Sequence, residues 1–113
     1  MDLNNLKDTF SCLSDCACLD VNDGWSEIII NLLHEVEREN SNLDQLKKIK
    51  ITYIKQKFGS LRVYSENMTL RINALIEKAE TISHTICEDC GSKDKIVESL
   101  RWTKAICEDC FNK

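Results

Sequence analysis

Two pairs of cysteines near the C-terminus constrain this chain more than any other feature of its sequence. Cys87 and Cys90 form one C-x2-C pair, Cys107 and Cys110 form the second, and sixteen residues lie between the pairs. A C-x2-C turn aims both sulfurs at one ion, and two such turns complete a tetrahedral set of thiolates about 2.3 Å from zinc. The spacing therefore predicts a Zn²⁺ site of the zinc-ribbon kind.

The predicted zinc site is structural, because four thiolates leave no coordination position open for catalysis. Gly91, directly after Cys90, supplies the permissive backbone that such a turn needs. Redox-active dithiols and an iron–sulfur cluster remain the alternatives. We expect the acidic side chains inside the two turns to face solvent. They are Glu88, Asp89, Glu108 and Asp109.

The other three of the seven cysteines, Cys12, Cys16 and Cys18, admit two interpretations. Since Cys12 and Cys16 are four residues apart, a helix would place both on one face, and a second metal site with His34 or His84 would follow. The alternative, which we favour, is buried or half-buried free thiols, because cysteine packs as a small apolar residue.

The start of the chain gives an expectation about its compartment. Residues 1–10 lack the basic start and apolar centre of a signal peptide, and no apolar run approaches the roughly 20 residues that cross a bilayer. We therefore expect a cytoplasmic protein without a membrane partner. In a reducing compartment, paired cysteines hold metal more often than disulfides.

Apolar residues at helical spacing predict two amphipathic helices. The first runs from Trp25 to about Arg38, with Asn22 or Asp23 as its N-cap, and the second follows a cap at Asn67. The apolar positions of the first are Trp25, Ile28, Ile29, Leu32, Leu33 and Val36. Those of the second are Ile72, Leu75, Ile76, Ala79, Ile82 and Ile86.

Between these helices the period changes to that of a β-hairpin. Ile49, Ile51 and Tyr53 alternate with polar residues, and the adjacent pair Tyr53–Ile54 indicates a bulge. A turn at 58–60 and a second alternating run at 61–64 complete the hairpin.

The predicted fold class is α+β: an amphipathic helix, a β-hairpin, a second helix and a C-terminal zinc ribbon with four cysteine ligands. Residues 1–22 form a cysteine-containing segment with a short helix, residues 23–86 the helix–hairpin–helix core, and residues 87–113 the ribbon, together one compact domain. Within the ribbon, residues 95–106 are expected to form a hairpin between the two cysteine turns.

The sequence resembles a group of small uncharacterised bacterial and phage proteins over residues 23–110. The resemblance is carried by a KFG-x-LR-x-Y block at 57–64, Ala79-Glu80, Ser83, the Cys87-x2-Cys90-Gly91 turn, Trp102-Thr103 and Cys107-x2-Cys110, with Gly24-Trp25 before the first helix. It implies a phage, prophage or bacterial cytoplasmic origin, and it implies no activity.

Charge is distributed unevenly along the chain. The whole chain has a formal net charge of −4, whereas residues 44–64 contain one acid and six bases. An acidic chain argues against sequence-independent nucleic-acid binding, which depends on neutralising phosphates. The basic segment still provides candidate anion or nucleic-acid contacts at Lys48, Lys50, Lys55, Lys57 and Arg62. We favour the simpler interpretation that these lysines line the solvated face of a strand.

The chain contains no GxSxG, HExxH, Walker or dinucleotide-binding motif, so we predict no catalytic residues and no enzyme. The favoured function is a zinc-stabilised module that binds another protein, with a phage-encoded regulator or inhibitor of a host or defence protein as one concrete version. One alternative is an accessory DNA- or RNA-binding factor that uses the basic hairpin, with Tyr53, Phe58 and Tyr64 nearby for stacking. The other is a receptor for a small anionic ligand clamped by Arg62.

Overall fold

The computed structural model describes residues 3–57, 59–93, 96–97 and 106–111. The elements follow one another as α1 (Leu3–Thr9), β1 (Leu13–Asp20), α2 (Ser26–Asn40), β2 (Lys50–Lys57), β3 (Ser60–Glu66), α3 (Leu70–Ser83), β4 (Ile96–Val97), β5 (Ile106–Cys107) and α4 (Glu108–Phe111). The fold class is α+β, which confirms the prediction, and the predicted helix–hairpin–helix order appears as α2, β2–β3 and α3.

The main sheet contains one more strand than the sequence predicted. Its order is β1-β2-β3, with β1 parallel and β3 antiparallel to β2. α2 connects β1 to β2, so the parallel pair and this helix form a βαβ unit. The sequence predicted only a short helix before residue 22. That helix is α1, and β1 follows it.

Two irregularities adjust the register of the sheet. Leu13 faces Ile51 and Cys18 faces Tyr53, so β1 contains three more residues than β2 over this interval. A second irregularity lies between Ile51 and Tyr53, where β2 pairs with β3. It lets Ile51 and Ile54 both point inward, and it lies one to two residues before the predicted bulge.

α2 and α3 pack side by side on one face of the sheet, which we call the inner face. Their buried side chains and those of the strands belong to a single core. The helices contribute Ile29, Leu32, Leu33, Val36, Ile72, Ile76 and Ala79, and the strands contribute Leu13, Ala17, Ile51, Ile54, Leu61 and Val63. Trp25 is completely buried in this core.

The helices begin at different residues from those predicted. A 3-10 turn at Asp23–Trp25 precedes α2, and neither it nor α2 has a side-chain cap. α3 is capped by Thr69, whose hydroxyl accepts a hydrogen bond from the Ile72 amide at 3.2 Å. The prediction of Asn67 as cap is wrong. Asn67 adopts a left-handed conformation (φ 60°), and its amide group donates to the Leu46 and Lys48 carbonyls.

α3 also covers the free edge of β3. The Leu61 amide donates to the Ser83 hydroxyl at 3.0 Å, and the Val63 amide donates to the Glu80 carboxylate at 3.4 Å. These bonds satisfy edge amides that otherwise invite pairing with another strand.

The C-terminal part contains a second, two-stranded sheet. β4 and β5 pair antiparallel, with Ile96 opposite Cys107 and Val97 opposite Ile106. This pairing agrees with the predicted hairpin between the cysteine turns. Phe58, in the predicted turn at 58–60, and Trp102, in the predicted hairpin at 95–106, lie outside the described residues.

Candidate functional site

The structure brings the four C-terminal cysteines together. The sulfurs of Cys87, Cys90, Cys107 and Cys110 all lie within 4.8 Å of one another, and the Cys90 and Cys107 sulfurs are 3.6 Å apart. Four sulfurs about 2.3 Å from a tetrahedral ion lie about 3.8 Å from each other. The cluster is therefore positioned to hold a metal ion of this size.

The first cysteine turn is closed by its own backbone. The Gly91 amide donates to the Cys87 carbonyl at 2.9 Å, and the Cys87 amide donates to the Ser92 carbonyl at 2.7 Å. Gly91 has φ +81°, a left-handed conformation that favours glycine, as the sequence predicted. The second pair is delivered by β5, which ends at Cys107, and by α4, which contains Cys110.

The thiols of the cluster differ in acidity. Burial opposes ionisation of Cys87, but hydrogen bonds from the backbone of Cys107 and Cys90 outweigh it and lower its pKa to about 7. Hydrogen bonds with the thiols of Cys107 and Cys90 raise the pKa of Cys110 to about 12. Cysteine binds a metal ion as the thiolate, so loading a divalent ion into this cluster is expected to release protons.

The first cysteine turn is attached to the core through the segment before α2. The Gly24 amide donates to the Glu88 carbonyl at 2.7 Å, and the Trp25 indole donates to the Ile86 carbonyl at 3.0 Å. The Asn22 amide group donates to the Asp89 carboxylate at 2.6 Å. Hydrogen bonds therefore attach the cysteine cluster to the core of the domain.

Gly24 makes this attachment sterically possible. A β-carbon at position 24 would collide with the backbone carbonyl of Cys87 and with the backbone of Glu88. Gly91 packs against the other side of this contact, because a β-carbon on Gly91 would lie 3.2 Å from the Gly24 carbonyl oxygen. The contact of Gly24 with Glu88 was not predicted, although the Gly24-Trp25 pair is visible in the sequence. This adjacent glycine and tryptophan are the sequence signal that could have indicated a close backbone contact here.

The acids inside the cysteine turns do not all face solvent as predicted. Glu88 is 2% exposed, so the prediction is wrong for this residue. Its backbone carbonyl accepts the hydrogen bond from Gly24, and this contact holds residue 88 at the core. Asp89 and Asp109 are exposed as predicted, whereas the side chain of Glu108 lies outside the described residues.

The five predicted basic contact residues lie along β2, β3 and the segment before them. Lys55 faces Arg62 across the β2–β3 pair, Lys57 is exposed at the end of β2, and Lys48 precedes β2. The ammonium group of Lys50 donates to the Ser11 carbonyl at 3.2 Å. The Arg62 guanidinium lies 4.0 Å from the Glu80 carboxylate, so it already faces an anionic group of the chain.

A groove of about 530 Å³ runs between α2 and α3, and it ends at the first cysteine turn. Ile28, Leu32, Leu75, Ala79, Ile82 and Ile86 supply its apolar lining. Asp23, Glu27 and Glu35 line it from the α2 side, whereas Lys78 and Lys93 line it from α3 and the segment after the cysteine turn. Arg62 does not line this groove.

The N-terminal cysteines do not form a second cluster. Cys12 is buried, and Cys16 and Cys18 are exposed on β1, so Cys12 and Cys16 do not share a helix face. Among residues 3–57, 59–93, 96–97 and 106–111, the C-terminal cysteines are the one group of three or more potential ligands positioned for an ion. Free thiols, the favoured interpretation, agree with this arrangement, although only Cys12 is buried.

Comparison with protein-family models, with curated proteins and with solved structures gives no match to this chain. None of the helices formed by the described residues has both the length and the apolar composition that crossing a bilayer requires.

Proposed function

We propose that this protein is a non-enzymatic, zinc-stabilised module that binds a partner protein in the groove between α2 and α3. The observation that carries the proposal is the position of the groove. Two packed helices form its walls, and Cys90 and Gly91 of the metal-binding turn form part of its lining. The metal cluster thus supports a binding surface.

Zinc is the proposed metal because four cysteine sulfurs around one position suit zinc or an iron–sulfur centre. A single ion fits sulfurs that lie within 4.8 Å of one another. Four thiolates complete the shell of such an ion, and no position remains for a substrate or an activated water. This closed shell supports the non-enzymatic assignment.

The proposed occupant of the groove is an amphipathic helix of the partner. The apolar lining offers a stripe for residues at i, i+3, i+4 and i+7, which is how helices dock in grooves. The acids lie on the α2 wall and the lysines on the opposite wall. A complementary helix presents basic side chains towards α2 and acidic side chains towards Lys78 and Lys93.

The resemblance to bacterial and phage proteins suggests a concrete setting for this module. A small chain without catalytic chemistry suits a regulator or inhibitor that occupies the docking surface of a host or defence protein. The phage or bacterial origin and the host or defence protein as partner are both part of the proposal, and the resemblance supports them.

A displayed library of helical peptides, selected on the metal-loaded protein, tests the groove directly. We expect enriched peptides with apolar residues at helical spacing and a basic flank. Ile82, on the groove wall, is 38% exposed, so Ile82→Glu is expected to preserve the fold and weaken the binding of these peptides at least about tenfold.

Tyr64→Glu, which places the same charge on the opposite face of the sheet, is the matched control and should leave peptide binding unchanged. Equal metal content in both variants shows that the cluster is intact. Failure to enrich helical peptides, or peptides that bind Ile82→Glu as well as the wild type, would overturn the assignment of the groove.

A further inference from the structure

The sheet has a second face, opposite α2 and α3, which we call the outer face. Ile54 and Val63 face each other and are buried inward, so their neighbours Tyr53, Tyr64 and Lys55 point outward. α2 and α3 occupy the inner face, and Cys18, Lys57 and Tyr64 on the other side of the sheet are exposed. The side chain of Tyr64 is 44% exposed.

Two tyrosines and a lysine form the centre of the outer face. The rings of Tyr53 and Tyr64 lie edge to face, with centroids 6.4 Å apart and an interplanar angle of 83°. The Lys55 ammonium lies 5.3 Å from the centroid of each ring. Aromatic surface and positive charge therefore occupy the same small patch of an open face.

Charge on the outer face has the opposite sign to that of the whole chain. By strand register its cations are Lys50, Lys55, Lys57 and Arg62, and its acids are Asp20 and Glu66. Arg62 at the edge also lies 4.0 Å from the Glu80 carboxylate, and its side chain is 43% exposed. The net charge of the chain is −4. Basic side chains thus lie together on the outer face, whereas the acidic residues Asp23, Glu27 and Glu35 lie beside the groove on the helical side.

We propose that the outer face binds single-stranded nucleic acid. Unpaired bases stack on the tyrosine rings, and the phosphates between them lie near Lys55, Lys57 and Arg62. A duplex does not satisfy this surface, because its bases are already stacked on one another. The proposal is independent of the groove. It develops the nucleic-acid alternative of the sequence analysis, to which the structure adds the edge-to-face tyrosine rings and the position of Lys55 against both of them.

Fluorescence anisotropy with labelled oligo-dT and oligo-U of about 12 nucleotides, and with a duplex of the same length, tests the proposal on the full metal-loaded chain. We expect micromolar binding of at least one single strand at about 50 mM salt and at least about tenfold weaker binding of the duplex. Three to four phosphate contacts predict a slope of log K against log salt of about −2 to −3. The two single strands distinguish RNA from DNA.

Two variants separate stacking from charge. Tyr64→Ala should weaken binding roughly 5- to 100-fold with little change in salt slope, while Tyr64→Phe, which retains the ring, should bind like the wild type. Lys55→Gln should reduce the magnitude of the slope by about 0.7. Lys78→Gln, on the helical side, is the charge-matched control and should change neither quantity.

No single-strand binding below about 100 μM, equal affinity for the duplex, or full affinity in Tyr64→Ala would overturn the proposal. The first result would mean that the lysines only line the solvated face of a strand. None of these results bears on the proposal that the groove binds a partner protein. Binding confined to RNA or to DNA supports the proposal and identifies which of the two nucleic acids the outer face binds.

Discussion

At the residue scale, Gly24 shows how one missing side chain allows the cysteine cluster to lie against the core. Its amide bonds to the Glu88 carbonyl, and main-chain atoms of Cys87 and Glu88 occupy the space that a β-carbon would need. Trp25 fills the core directly beside it and bonds to the Ile86 carbonyl. Gly24 and Trp25 join the helical core to the cysteine turn.

Gly24→Ala is expected to lower the free energy of unfolding by about 2–3 kcal/mol, because the added methyl group collides with main-chain atoms that cannot rotate away. Chemical denaturation of the metal-loaded protein measures this loss. Asn22→Ala, which removes only an exposed hydrogen bond to Asp89, is the control and should cost at most about 1 kcal/mol. Equal effects of the two substitutions would contradict the steric argument.

Cys12 predicts a stability change at alkaline pH. Burial and the nearby Glu37 carboxylate raise the pKa of its thiol from 9.0 to about 12. Between these values the folded chain keeps a proton that the unfolded chain loses, so the stability contributed by Cys12 falls as pH rises. For one group this slope is at most about 1.4 kcal/mol per pH unit.

Denaturant titrations of wild type and Cys12→Ala between about pH 9 and pH 10.5, under reducing conditions, should give a shallower decline for the variant. The variant also loses packing, so the slope and not the absolute stability is the measurement. Both proteins keep the other six of the seven cysteines, whose effects cancel in the comparison. Parallel curves would mean that Cys12 ionises equally well in both states.

At the element scale, α3 does more than contribute to the core. Its last turn places the Ser83 hydroxyl against the Leu61 amide, where it accepts that hydrogen bond and donates to the Glu80 carbonyl. Ser83 is completely buried, so this hydroxyl is the partner of an amide that water does not reach. The helix thereby closes one edge of the sheet.

Ser83→Ala should lower the free energy of unfolding by about 1–3 kcal/mol, because the Leu61 amide loses its acceptor. Thr81→Ala, on the same helix, removes an exposed hydroxyl that bonds to the Glu77 carbonyl, and it should change stability by about 0.5 kcal/mol or less. Urea unfolding of both variants checks this. A Ser83→Ala protein as stable as Thr81→Ala would show that the edge amide is satisfied in another way.

At the scale of the whole molecule, the cysteine cluster is attached both to the domain core and to the groove. The cluster carries part of the groove, and residues 22–25 hold the first cysteine turn against the core. An ion bound by residues that are distant along the chain adds its binding free energy to that of folding.

Chelation, or Cys90→Ser, should therefore lower the melting temperature by at least about 10 °C, which corresponds to roughly 2 kcal/mol for a domain of this size. Hydrogen exchange should increase first in residues 87–93 and 106–111. Elemental analysis of the loaded protein should find one zinc per chain. Cys16→Ser, at an exposed cysteine outside the cluster, is the control and should keep both the metal and the melting temperature. A chelated protein that melts unchanged would contradict a structural metal.

The sequence alone predicted the features that depend on local spacing. Apolar periodicity located α2, α3 and the β2–β3 hairpin, because each element buries one face and repeats with its own period. The C-x2-C pairs marked the cluster, because two residues between cysteines are enough to aim both sulfurs at one ion. These signals lie within short stretches of chain, so no knowledge of the rest of the fold was needed.

Only the tertiary structure decided the features that join distant residues. β1 escaped prediction because Leu13–Asp20 has no regular alternation, and it is a strand because β2 pairs with it across an irregular register. The contact of Gly24 with Glu88 and the bond between Ser83 and Leu61 link residues that are far apart in sequence. Their geometry follows from how the elements pack together, and local periodicity does not encode that packing.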